Sequence, residues 1–209
     1  MTYLPRAFKA LWHELPVLAA AGVLVCVASA LVVLISPGLS PLSLLLGAVV
    51  VGPTWAAVTA TTDAIVRDDR GGVLLLLHNI KRQAPAGLEV ACVPAVGTAL
   101  TLLNWQLYSG PLFALPLALS GCASVLLLLA ACHAFSLRVT AGLRGKTLWL
   151  ASLQLVARAP LVPLGVLALV LLALVLGTSV TASLLLLAPG PVALFASAGT
   201  WTEKHALHR

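Results

Sequence analysis

Five long apolar runs limit what this chain can become. The first extends from Leu15 to Ser36 and the second from Leu42 to Val66, with the turn-forming Pro37-Gly38-Leu39-Ser40-Pro41 between them. The third covers Gly87 to Tyr108 and the fourth Leu112 to Leu137, separated by Ser109-Gly110-Pro111. The last, Leu161 to Trp201, holds 41 residues without a charged side chain. A helix crosses a hydrocarbon core of ~30 Å with about 20 mostly apolar residues, because no water is there to satisfy its backbone. As one helix the last run would reach about 60 Å. It must fold back, and the polar Gly177-Thr178-Ser179 predicts the turn.

The runs predict an all-α fold: a single polytopic transmembrane helix bundle over residues 1–209, with six spans at about 15–36, 42–66, 87–108, 112–137, 161–177 and 180–201. Composition agrees, at 61% hydrophobic and 9% charged, whereas a typical soluble domain is about a quarter charged. The basic N-terminus and the apolar run ending near Ala28-Ser29-Ala30 have the order of a secretory signal. The run exceeds the ~7–15 residues of a signal core, so a retained helix is expected.

All twelve lysines and arginines fall on one side of this six-span arrangement. Arg6 and Lys9 precede the first span; Arg67, Arg70, Lys81 and Arg82 lie in the connection 67–86; Arg138, Arg144, Lys146 and Arg158 lie in the connection 138–160; Lys204 and Arg209 follow the last span. The three opposite turns carry no charge. Loop cations mark the cytoplasmic face, which predicts that both termini are inside. Cations sorted in this way orient a membrane protein, and no nucleic-acid partner is expected. Trp12, Trp105, Tyr108, Trp149 and Trp201 sit near the predicted boundaries, as interfacial aromatic belts do.

The two cytoplasmic connections are alike. Arg70-Gly71 leads to Ala84-Pro85, and Arg144-Gly145 leads to Ala159-Pro160 over a similar distance. Each reads as a short amphipathic helix lying in the interface. In the second, Thr147, Ala151, Gln154 and Arg158 form one stripe, and Trp149, Leu150, Leu153 and Val156 cover the other side. Anionic lipid headgroups would attract such helices, so Arg67, Arg70, Lys81, Arg82, Arg138, Arg144, Lys146 and Arg158 are the expected docking residues for lipid or a protein partner. A second echo links GPTWAAVTAT from Gly52 to GPVALFASAGTW from Gly190, each placing Gly-Pro near the centre of a span. The bundle reads as three similar hairpins.

The stretch from Gly52 to Val66 with Arg67, and that from Phe135-Ser136-Leu137-Arg138 through Leu148 to Pro160, resemble the YesL-like family of bacterial integral membrane proteins, known as domain of unknown function 624. The resemblance covers about residues 5 to 200. It implies a multi-pass protein of the bacterial cytoplasmic membrane, an accessory to carbohydrate ABC uptake systems, with permease or ATPase subunits as partners.

Motifs of common enzyme chemistry are absent. The chain has no Gly-x-x-x-x-Gly-Lys-Ser/Thr phosphate loop, no His-Glu-x-x-His, no Cys-x-x-Cys and no Gly-x-Ser-x-Gly. Cys26, Cys92, Cys122 and Cys132 fall within predicted spans, where cysteine commonly serves as a small buried residue. A non-enzymatic protein without cofactor or metal is expected. Ionisable groups in a membrane are costly and therefore informative; Asp63, Glu89 and His133 are predicted at one depth on the cytoplasmic side, where they could join Arg67, Arg138 or Arg158 in a polar network.

Two functions follow from these features. One is contact: the basic connections dock a partner or lipid. The other is passage of a small solute along a midplane site at the Gly-Pro kinks, formed by Gly52, Pro53 and Thr54 with Pro189, Gly190 and Pro191, because proline frees a carbonyl one turn earlier and broken helices can mark binding sites.

Overall fold

The computed structural model describes residues 3–68, 70–108, 113–179 and 186–206. Within these residues the fold is all-helical. Helix α1, Leu4–His13, is separated from α2, Leu15–Ile35, by Glu14 alone. Pro16 supplies the break, since its missing N–H cannot continue the ladder of α1 and is harmless in the first turn of α2.

Helix α3 is Pro41–Asp68. Its start is set by Gly38 at φ +92° and by a reciprocal cap, in which Ser43 N–H donates to Ser40 Oγ at 3.0 Å and Ser40 N–H donates to Ser43 Oγ at 2.9 Å.

The next element departs from the expected short interfacial helix over 67–86. After a brief link, α4 runs unbroken from Val73–Leu107, 35 residues that include Pro85 and Pro94. At ~1.5 Å per residue this is about 52 Å, longer than a bilayer core. Pro85 removes one hydrogen bond, yet α3 holds α4 on both sides of it. Asn79 Nδ2–H donates to Thr61 Oγ1 at 3.2 Å, and Gly87 lies so near Gly52 that an added Cβ would stand 2.4 Å from the Gly52 carbonyl oxygen. Small residues permit this backbone approach, a common basis for helix association in membranes.

Helix α5, Ala114–Ala141, ends at Gly142, whose φ of +68° is the left-handed C-terminal stop. The second connection does form a short helix, α6, Gly145–Arg158. Beyond Pro160 the chain bends by 87° into α7, Leu161–Ser179. The predicted turn at Gly177-Thr178-Ser179 is instead the last turn of α7. A glycine costs a helix interior only about 1 kcal/mol, too little to stop it by itself. Helix α8, Pro189–Ala206, returns antiparallel: Val162 meets Gly199, and Leu176 shares a cavity with Leu187. The predicted turn at Ser109-Gly110-Pro111 and residues 180–185 lie outside the described residues.

Four described helices, α2 to α5, are long and apolar enough to cross a membrane, and the bent α6–α7 pair makes a fifth if taken as one span. The protein is membrane-embedded. Its buried core lies toward one end of the bundle, where Val17, Leu18, Ile65, Leu194 and Ala198 form one cluster and Ala134, Leu137, Leu148 and Leu155 another.

Candidate functional site

Asp63 is the best-connected polar group of that end. It lies in the last two turns of α3 and is 1% exposed. A buried carboxylate is costly unless its lone pairs are met. Ser136 Oγ–H of α5 lies 2.7 and 2.8 Å from its two oxygens, Thr140 Oγ1–H donates to Oδ2, and Trp201 Nε1–H of α8 donates to Oδ1 at 3.0 Å. One carboxylate therefore joins α3, α5 and α8. The same tryptophan carries charge outward: Arg67 stands 4.4 Å from its ring centroid and Lys204 4.7 Å, both within cation–π reach.

Glu89 makes a second joint. Its Oε2 accepts from Arg138 Nε at 2.7 Å and its Oε1 from Gly145 N–H at 3.3 Å. A carboxylate at the first turn of α6 meets the positive end of the helix dipole, so α4 and α5 together hold the start of α6.

His133 is fully buried beside Thr200. Thr200 Oγ1–H donates to the Ala196 carbonyl at 2.9 Å, so the imidazole Nδ1–H donates to Thr200 Oγ1, at 2.8 Å. Nε2 has no partner among the described residues. The predicted network of Asp63, Glu89 and His133 is thus three separate joints at one end of the bundle. Arg138 pairs with Glu89; Arg67 reaches Asp63 only through the Trp201 ring; Arg158 stands exposed at the end of α6.

Around these joints lie the predicted docking cations. Arg67, Arg70, Lys81, Arg82, Arg144, Lys146 and Arg158 are exposed and Arg138 is partly buried. Helix α6 has three faces. Leu148, Ser152, Leu155 and Val156 pack on the bundle; Leu150 and Leu153 are exposed and apolar; Thr147, Gln154 and Arg158 are exposed and polar. The predicted apolar side is thereby divided, because Val156 turns to protein whereas Leu150 and Leu153 turn away from it. Helix α1 repeats the pattern with Ala7 and Ala10 buried, Phe8 and Trp12 exposed, and Lys9 and His13 on the polar side.

The two Gly-Pro sites pack on different neighbours, Gly52 on Gly87 and Gly190 on Leu18. Gly52 borders an apolar cavity of about 270 Å³ with Trp55, Thr59 and Phe135, and Thr54 Oγ1–H donates to the Val51 carbonyl of its own helix at 2.8 Å. Pro189, Gly190 and Pro191 form the first turn of α8 rather than the middle of a span, a place where proline leaves no bond unmade. Gly190 instead packs on the Leu18 backbone. Among the described residues no group of three or more His, Cys, Asp or Glu could hold a metal.

Sequence reasoning missed Ser136, Thr140 and Trp201. The signal was available: His133, Ser136 and Thr140 follow helical spacing on α5, and the run Thr59 to Asp63 places three threonines beside the acid. Trp201 resembled a belt residue because nothing in the chain near it points to a carboxylate 138 positions away.

Fold and site together define an all-helical, membrane-embedded protein with a charged, multiply joined end. The chain matches no family model, no curated protein and no solved structure.

Proposed function

We propose that this is a non-enzymatic, multi-pass protein of the bacterial cytoplasmic membrane that works by contact, as an accessory or scaffold component of an ABC-type carbohydrate or solute uptake system. In this reading the six apolar stretches are spans paired as three hairpins, and the basic end with both termini faces the cytoplasm. The build of α6 carries it. That helix is packed on the core through Leu148 and Leu155, held at its start by Glu89, turned 87° from α7, and presents Lys146, Gln154 and Arg158 outward. A partner surface is most useful when rigid, because little ordering then opposes binding. The ABC association itself comes from the resemblance to the YesL-like family.

The test is co-purification. Replacing Arg144, Lys146 and Arg158 with glutamate abolishes recovery of a permease or ATPase subunit while the protein stays inserted. Recovery unchanged by that triple reversal overturns the reading. The cavity beside Gly52 favours a second function, passage of a small solute. Flux by the purified protein alone in liposomes, lost in Pro53→Ala, would replace the contact reading.

A further inference from the structure

We propose that the corner between α1 and α3 is a binding site for a zwitterionic phospholipid headgroup bearing a primary amine, of the phosphatidylethanolamine class. A cavity of about 620 Å³ opens there, lined by Lys9, His13, Glu14, Arg67 and Asp68, within the ~300–1,000 Å³ of ordinary ligand pockets. Among the described residues, two cations and two carboxylates thus face one space. Among the described residues none of these four charges forms an ion pair with an opposite charge. They are kept apart by their placement: Arg67 lies over the Trp201 ring, and the Glu14 carboxylate rests on Gly71, where a Cβ would stand 2.2 Å from Oε2. His13 Nδ1–H donates to the Lys9 carbonyl at 3.0 Å, so that nitrogen is already occupied within α1.

The balance of charge selects the ligand. A purely anionic group would meet Glu14 and Asp68, and a purely cationic one would meet Lys9 and Arg67. A ligand with both signs answers both pairs, its phosphate toward Lys9 and Arg67 and its ammonium toward Glu14 and Asp68. A primary ammonium has three N–H donors for these carboxylates. A quaternary ammonium has none and favours cages of Trp, Tyr and Phe, none of which is among the described residues lining this cavity.

The surroundings identify the source as lipid. Phe8 and Trp12 are exposed at 58% and 74% on the neighbouring face of α1, as interfacial aromatic residues are. Trp12 also borders an apolar cavity of about 180 Å³ with Leu11, Leu15 and Pro191, so apolar surface continues around α1.

The test uses the full-length protein in detergent, titrated with dioleoyl phosphatidylethanolamine, phosphatidylcholine or phosphatidylglycerol, with bound lipid read by native mass spectrometry. Phosphatidylethanolamine is expected to be retained about tenfold better than phosphatidylcholine, as charge-assisted hydrogen bonds would give. Glu14→Gln combined with Asp68→Asn removes that margin, and Lys9→Gln weakens retention of phosphatidylethanolamine and phosphatidylglycerol alike. Equal retention of the two zwitterionic lipids by the unaltered protein overturns the proposal, whether or not the variants fold. So does a margin that survives in the folded double variant, or a preference for phosphatidylglycerol. Soluble phosphoethanolamine that saturates the site at the lipid's concentration overturns the assignment to lipid.

Discussion

The two halves of α5 contrast sharply. Its early residues Leu115 and Leu119 are 72% and 64% exposed, while Ala130, Ala134 and Leu137 near its end are buried. The same gradient appears in α2, where Val17, Leu18 and Ala21 are buried and Val33, Leu34 and Ile35 are not. At the apolar end, large side chains meet acyl chains, which are as apolar as leucine and ask for no particular partner. At the charged end, small residues bring backbones together and buried polar groups must find one another. Stability that depends on particular side chains is therefore concentrated at one end.

The comparison can be broken by substitution. The largest effect is expected for Asp63→Ala, which strands the donors of Ser136, Thr140 and Trp201. It should lower stability by about 3–5 kcal/mol in a denaturant titration in mixed micelles. Trp201→Phe keeps the ring but removes the N–H to Asp63; a loss of about 1.5–3 kcal/mol is expected, the usual worth of a hydrogen bond to a charged group. Gly87→Val drives side-chain atoms into the Gly52 carbonyl and should cost about 1–3 kcal/mol by overpacking, visible as a lower midpoint of thermal unfolding in nanodiscs.

A smaller effect is expected at the Glu89–Arg138 pair, where Glu89 is 37% exposed and the attraction is partly screened. A double-mutant cycle with Glu89→Gln and Arg138→Gln should give a coupling of about 1 kcal/mol or less. The smallest belongs to the other end: Leu119→Ala should change stability by no more than about 0.5 kcal/mol. A loss there equal to that of Asp63→Ala would remove the distinction between the ends.

Much of the fold was legible because a bilayer enforces a simple rule on length and polarity. The boundaries of α2 and α3, and the existence of α6, follow from apolar runs, prolines and the Arg144-Gly145 to Ala159-Pro160 pattern. The single helix α4 was not legible, since Pro85 ordinarily marks an end and only the contacts with α3 carry the helix through it. The site was half legible. Asp63, Glu89 and His133 stand out as ionisable groups in oil, but Ser136, Thr140 and Trp201 look ordinary until the helices are assembled.

Sequence alone determined that this chain enters a membrane and that its cations gather toward the same ends of its helices, because the cost of a polar group in hydrocarbon falls on each residue whatever its neighbours. Tertiary structure decided which partners those groups take. Asp63 reaches Trp201, Glu89 reaches Arg138 and the first turn of α6, and among the described residues Lys9, Glu14, Arg67 and Asp68 of the α1–α3 corner form no ion pair. Such choices depend on angles and distances between helices far apart in the chain, and periodicity along one helix carries no record of them.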